Sequence, residues 1–168
     1  VRRSCNRLGL ERLDLVQFHW WDFDCGGYVE AAKALAAHPA VVQFGLTNFD
    51  AQRMAELQDA GLEVVSNQVQ YSVLDRRPEA ALVPLCQATG AVLLPYGVLA
   101  GGFLTDRWLG APDPLDAEHG EVEELSMESL TDFGKLPTRS HTKYYLIIRQ
   151  SGGWGRFQRL LHILRGVA

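Results

Sequence analysis

Four apolar runs, each closed by polar or aromatic side chains, constrain this chain more than any other feature. Leu13-Asp14-Leu15-Val16-Gln17-Phe18 runs into His19-Trp20-Trp21-Asp22, and Val41-Val42-Gln43-Phe44 into Gly45-Leu46-Thr47-Asn48-Phe49. A third run opens at Val64-Val65 and ends in Asn67-Gln68-Val69-Gln70-Tyr71. A fourth, Ala91-Val92-Leu93-Leu94, ends in Pro95-Tyr96-Gly97-Val98-Leu99. Short runs of this kind read as buried strands of a parallel sheet. Chemistry gathered at the C-terminal ends of successive strands is the layout of a barrel whose site is built at that face.

Helical patterns fill the gaps between the runs. Residues 1–8 read as a helix end capped by Gly9, and Tyr28 to His38 as an Ala-rich helix with Val29, Ala32, Leu35 and Ala36 on one face. Asp50 suits the N-cap of a helix over 51–60 that Gly61 ends. Pro78 suits the first turn of a helix reaching Thr89 and Gly90, while Pro84 inside that span makes the regular helix start later or kink. Strand starts recur about 22 to 28 residues apart, a repeat that barrels and doubly wound sheets share. No G-x-G-x-x-G follows any strand, which favours the barrel over an open dinucleotide-binding sheet.

After Gly102 the rhythm breaks. Residues 111–128 hold Pro112, Pro114 and seven acidic residues and predict an exposed loop. From Phe133 to Ala168 there is no acid, against seven Lys and Arg. Trp154, Phe157, Leu160, Leu161, Leu164 and Val167 follow helical spacing, with Arg156, Arg159, His162 and Arg165 on the other face. That pattern reads as a core-facing helix with a solvated basic face, with an anion-binding surface as the alternative. The expected organisation is one partial domain over 1–168: a β/α core at 1–110, an acidic loop at 111–135 and a helical segment at 136–168. The start at Val1, with Arg2 and Arg3 already in a helix, reads as a piece of a longer reading frame, a processed product or an unusual gene model.

Charge and composition exclude several classes. Sixteen Lys and Arg against 20 Asp and Glu give a net charge of −4, so nucleic acid is not an expected partner. Cys5, Cys25 and Cys86 are too scattered for a zinc site or a disulfide framework; no metal is expected, and thiols in a reducing compartment suggest the cytoplasm, with an organelle left open. No apolar stretch is long enough to span a bilayer, and no membrane partner is expected.

The strand ends supply the candidate site. His19 reads either as a hydrogen-bond donor to a carbonyl oxygen or as a core histidine satisfied by backbone. Thr47, Asn48 and Gln68 offer donors and acceptors that match a planar amide, or alternatively ordinary turn chemistry. Tyr96 could stack on a flat ring or plug the barrel mouth. Trp20 and Trp21 could line an apolar substrate pocket or form core and rim. Gly97, Gly101 and Gly102 let the backbone pass close to something, a phosphate among the candidates.

Together, Asp14-Leu15-Val16-Gln17-Phe18-His19-Trp20, Gly45-Leu46-Thr47-Asn48-Phe49, Asn67-Gln68-Val69-Gln70-Tyr71-Ser72 and Leu93-Leu94-Pro95-Tyr96 resemble the aldo-keto reductase family in order and spacing. The resemblance is close over residues 1–110 and extends to a tail from Leu136 like a helical insertion found in some members. It implies an α/β fold, part of a (β/α)8 TIM barrel, here strands four to seven. It implies NADP(H) or NAD(H) as cofactor and a small carbonyl compound as substrate. By position, His19 looks like the active-site histidine and Trp20 and Trp21 like substrate-pocket residues. Thr47, Asn48 and Gln68 look like the residues holding the nicotinamide carboxamide. Tyr96 looks like the tyrosine under the nicotinamide ring, and Leu99 to Gly101 like the run along the pyrophosphate. The family's tyrosine, lysine and aspartate belong to strands before the histidine strand and have no counterpart here; Trp21 stands where many members have proline. The resemblance therefore implies an aldehyde- or ketone-reducing oxidoreductase fragment with weak cofactor binding and little or no activity alone. A non-catalytic nucleotide-binding or regulatory module is the alternative. Self-association through open strand edges is a further expectation.

Overall fold

The computed structural model describes residues 1–115, 136 and 138–167. The chain packs as two compact units, one of residues 1–71 with 76–96 and one of residues 72–75 with 97–168.

In the first unit, helix α1 (Arg2–Leu8) ends at Gly9, whose φ of 67° lets its N–H return to the Cys5 carbonyl. Strand β1 (Leu13–His19) is followed by helix α2 (Tyr28–Ala36), strand β2 (Val41–Thr47), helix α3 (Ala51–Asp59) and strand β3 (Ser66–Gln70). A 3₁₀ turn (Arg77–Ala80), helix α4 (Leu82–Thr89) and strand β4 (Val92–Tyr96) complete it. All three strand pairings are parallel and the order is β1-β2-β3-β4. A doubly wound sheet reverses its strand order at a switch point; here the order follows the chain, as around a barrel.

Sequence and structure differ at element ends for local reasons. Helix α2 stops at Ala36 rather than His38 because the His38 ring accepts the Ala40 N–H at 3.1 Å and turns the chain into β2. Regular β3 begins at Ser66, and Val64 packs into the core instead. The helix expected from Pro78 is split: Pro78 sits in the 3₁₀ turn and Pro84 in the first turn of α4, where its missing N–H leaves no intrahelical bond unmade. The later start of the regular helix is thus the observed outcome.

One face of the sheet carries the core. Phe44 and Leu46 of β2 meet Met54 and Leu57 of α3 and Leu82 and Cys86 of α4. Leu46, Met54 and Leu57 have no exposed surface, and each such burial contributes about 1.5–3 kcal/mol. Asp50 caps α3 by accepting the Arg53 N–H at 2.8 Å. The register assigns the other face. Gln17, Gly45, Ser66 and Val92 form one row, His19, Thr47, Gln68 and Leu94 the next, and Gln70 pairs with Tyr96 beyond it.

The second unit has no strand among its described residues. Two 3₁₀ turns (Ala100–Gly102 and Asp106–Trp108) precede helices α5 (Arg139–Gln150) and α6 (Gly153–Val167). Thr138 caps α5 through the His141 N–H. Trp154 and Phe157 of α6 pack on Phe103 at 6.1 and 6.3 Å between ring centroids, and Phe103 lies 4.8 Å from Trp108. Arg156, Arg159, His162 and Arg165 are exposed, the expected solvated face. Val167, expected on the apolar face, is instead 83% exposed, because the final helical turn runs past the cluster. The expected acidic loop lies, from residue 116 to 135, outside the described residues. Among the described residues no helix is long and apolar enough to cross a membrane.

Candidate functional site

Alternation along the strands places the site. With Phe18 and Leu46 committed to the core face, His19 and Thr47 must point the other way. Parallel register aligns them with Gln68, so three polar side chains stand in one row: His19 and Thr47 at the C-terminal ends of β1 and β2, and Gln68 in the middle of β3. All three are half-buried.

Asn48 turns the chain out of β2 with a φ of 60°, a left-handed conformation that Asn tolerates better than most residues. Its backbone N–H donates to the Gln68 carbonyl at 2.9 Å, and its Oδ1 accepts the Tyr96 hydroxyl at 2.9 Å. The last residue of β4 is thereby tied to the turn after β2. His19, Thr47, Asn48, Gln68 and Tyr96 form one connected patch, facing away from the core.

The two tryptophans part company. Trp21 is 85% exposed and stacks on the His19 ring at 4.3 Å. Trp20 points to the core face, 5.8 Å from Phe18, and its indole N–H donates to the Asp22 and Cys25 carbonyls at 2.7 and 3.2 Å. It shapes the loop after β1, and Trp21 is the one beside the histidine. Leu99 and Gly101 belong to the second unit. Leu99 is exposed, and the ring approaching Gly101 is that of Tyr144.

Asn67 escaped the sequence reading. It is fully buried, and its amide donates to the Phe49 carbonyl at 2.9 Å, which fixes the turn that carries Asn48. The available signal was an amide at a strand position whose neighbours alternate into the core. A second unforeseen group is Tyr71, whose hydroxyl donates to Glu79 at 2.9 Å while Arg76 grips the same carboxylate at 2.8 and 2.5 Å. The hydrogen bond from Arg76, then that from Tyr71, holds the Glu79 carboxyl below its ordinary range, and Glu79 in turn raises the Tyr71 phenol. This group ties the loop after β3 to the start of the following turn. Among the described residues no cluster of three metal-ligating side chains occurs.

The sequence profile of the aldo/keto reductase family matches residues 1–165. Flagellar radial spoke protein 5 of Chlamydomonas reinhardtii is 30% identical over 94% of this chain and 31% of its own length. The NADH-specific methylglyoxal reductase of Escherichia coli is 32% identical over 62% of this chain and 33% of its own. The chain thus spans about a third of these two relatives. Among solved structures, the holo form of an aldo-keto reductase from Bacillus halodurans superposes with a TM-score of 0.55 at 29% identity, over 71% of this chain and 39% of that one. An aldo/keto reductase from Klebsiella pneumoniae in complex with NADP and acetate gives 0.54 at 30% identity, over 68% and 42%. The chain belongs to the aldo/keto reductase family, and its four parallel strands are a part of that family's α/β barrel.

Proposed function

We propose that this chain is the nicotinamide-facing part of an NAD(P)H-dependent reductase of aldehydes or ketones. The observation that carries this is the patch at the strand ends: His19, Thr47 and Gln68 in register, with Asn48 and Tyr96 hydrogen-bonded beside them. Two amides and a hydroxyl supply both donors and acceptors for a carboxamide. Tyr96, restrained through its hydroxyl, presents a ring for a nicotinamide to stack on. The cofactor supplies the hydride; the chain's part is to bind and orient. His19 directs a ring N–H at the carbonyl oxygen, where negative charge develops, and Trp21 forms an apolar wall against the substrate's substituent. Leu99 to Gly101 run along the pyrophosphate. The NADP in the Klebsiella complex and the NADH of the E. coli relative's name support this class of cofactor. We take residues 1–168 as one partial domain, which the single family match over 1–165 supports. The cytoplasm suits three cysteines that are all free thiols.

Binding is expected to be weak, because a partial site is less preorganised. Titration with NADPH, followed by its fluorescence and by saturation-transfer NMR, should show contact that Gln68→Ala weakens. A folded chain that shows no contact at millimolar NADPH overturns the reading. Turnover of reactive aldehydes by the chain alone should be little or none, since a positioned general acid contributes about 10²–10⁴-fold and the family's tyrosine, lysine and aspartate have no counterpart here.

A second reading has its own support. Radial spoke protein 5 matches 94% of the chain, tail included, against 62% for the methylglyoxal reductase. That supports the alternative of a non-catalytic nucleotide-binding or regulatory module that keeps the fold. Detectable NADPH contact with His19-dependent reduction in a longer form of the protein would decide for the enzyme.

A further inference from the structure

We propose that Tyr144 is a positioning residue for the glycine-rich turn at 97–104, which it braces from helix α5. The inference rests on the reading above that Leu99 to Gly101 run along the cofactor's pyrophosphate.

Four of the eight residues of the turn lie in the left-handed region. Gly97, Ala100, Gly101 and Gly102 have φ of 71°, 49°, 63° and 97°. An alanine in that region is strained and persists only where its surroundings over-determine it; Ala100 has no exposed surface. Backbone bonds close the turn on itself: Ala100 N–H to Gly97, Gly102 and Leu104 N–H to Leu99, and Phe103 N–H to Ala100, all between 2.9 and 3.2 Å. A glycine-rich segment left to itself would sample other conformations.

Tyr144 supplies the constraint from outside. A Cβ on Gly97 would lie 2.0 Å from its hydroxyl oxygen, and a Cβ on Gly101 2.7 Å from its ring. The ring therefore lies across both glycines and fills the space their missing side chains leave. Ser140, one helical turn earlier on α5, approaches the same point above Gly101 at 3.2 Å. Gly102 is different: its Cβ would meet nothing within 4 Å, so its φ alone calls for glycine. Tyr144 is buried, whereas Val98 and Leu99 stand more than half exposed. The closest neighbour of Gly97 and Gly101 is thus a tyrosine of the chain itself, and the exposed edge at 98–99 with the half-buried Gly101 is what remains for a ligand. Fixing the turn beforehand removes the ordering cost that a mobile loop would impose on binding.

The test uses the full chain with Tyr144→Leu and Tyr144→Phe. The leucine variant should lose amide-exchange protection at 98–104 and bind NADPH about tenfold more weakly, since affinity falls with the fraction of molecules holding the competent loop. Tyr144→Phe keeps the ring over Gly101 but loses the hydroxyl nearest Gly97, and should fall between the parent and the leucine variant in both. Retained protection in the leucine variant overturns the brace; lost protection with unchanged NADPH affinity overturns its part in positioning the turn for the cofactor. If that variant does not fold, Gly97→Ala, which drives the ring out from the other side, is read in the same two ways. Gly102→Ala then serves as the control for left-handed strain without a ring clash. Absence of NADPH contact in the parent chain sinks the cofactor reading instead, and exchange at 98–104 still decides whether Tyr144 holds the turn.

Discussion

In the first unit a side chain's neighbours follow from strand register, whereas in the second they follow from rings brought together across long stretches of chain. His19, Thr47 and Gln68 are aligned because parallel pairing leaves them no alternative once Phe18 and Leu46 face the core. Nothing comparable orders the described residues of the second unit. There Tyr145 donates to Asp113 at 2.6 Å, the Trp154 indole N–H to Ala111 at 2.9 Å and the Gln158 amide to Trp108 at 2.8 Å, across separations of 32, 43 and 50 residues. A periodic backbone places a functional row cheaply and repeatedly. An aromatic cluster places one loop, and each ring in it matters more.

The sharpest break of that comparison is Trp154→Ala. Trp154 meets Phe103, Trp108, Tyr145 and Phe157 with ring centroids between 5.1 and 6.3 Å, and it is 9% exposed. Truncating such a side chain costs about 3–5 kcal/mol. Hydrogen exchange should show α5, α6 and the 97–109 segment losing protection while amides of β2 and β3 keep theirs. Equal loss in both units would show that they unfold together and that the contrast in their packing has no thermodynamic consequence.

How much of this was legible beforehand divides along the same line. The caps at Gly9 and Asp50 and the polar strand ends follow from patterns of a few residues, and the order β1-β2-β3-β4 from the barrel reading of the strand repeat. The two tryptophans could not be separated from sequence, because whether the chain keeps strand alternation past His19 depends on Trp20 finding the Asp22 and Cys25 carbonyls. The clasp of Asp113 by Tyr145 and Arg149 was equally hidden: Asp113 sits among other acids, and its partners lie on a helix beyond residue 138. The same holds for the glycines at 97 and 101. Their spacing announced a close approach without naming Tyr144, since no local rule links a turn to a helix some forty residues later.

A change of intermediate size tests the register itself. Gly45 faces the same side as Gln17 and Ser66, and a Cβ there would stand 2.3 Å from Ser66 Oγ and 3.2 Å from the Ser66 carbonyl. The Ser66 hydroxyl is buried with no hydrogen-bond partner among the described residues. Gly45→Ala should therefore destabilise the first unit by about 1–3 kcal/mol, the usual range for overpacking. Adding Ser66→Ala removes the closest of these contacts and an unpaired hydroxyl together, so the double variant should melt above Gly45→Ala alone. Additive losses in a double-mutant cycle would mean that the two residues are not neighbours and that the pairing of β2 with β3 is shifted.

The smallest expected effect separates the units by pH. Glu56 accepts from the Tyr28 hydroxyl and from Gln52, and these hydrogen bonds, in that order, lower its carboxyl; Arg76 and then Tyr71 do the same for Glu79. Both carboxyls belong to the first unit, Glu56 exposed and Glu79 half-exposed, so screening keeps their contribution small. A carboxyl whose folded value lies below its unfolded one binds fewer protons when folded. Its contribution is complete above the unfolded value and disappears as the pH falls through the folded one. The melting midpoint of the first unit should therefore decline on acidification through the carboxylate range, and Glu56→Gln with Glu79→Gln should flatten part of that decline. On the alkaline side the sign reverses. Burial, and then Glu56, pushes the Tyr28 phenol up to about 12; that contribution holds below the unfolded phenol's value and is lost as the pH climbs to the raised one. Tyr28→Phe should flatten the alkaline arm and leave the acidic loss attributable to Glu79 in place. Exchange-resolved melting of β2 amides across pH would check both arms. An acidic slope that the paired glutamine substitutions leave untouched would place the titrating groups elsewhere in the fold.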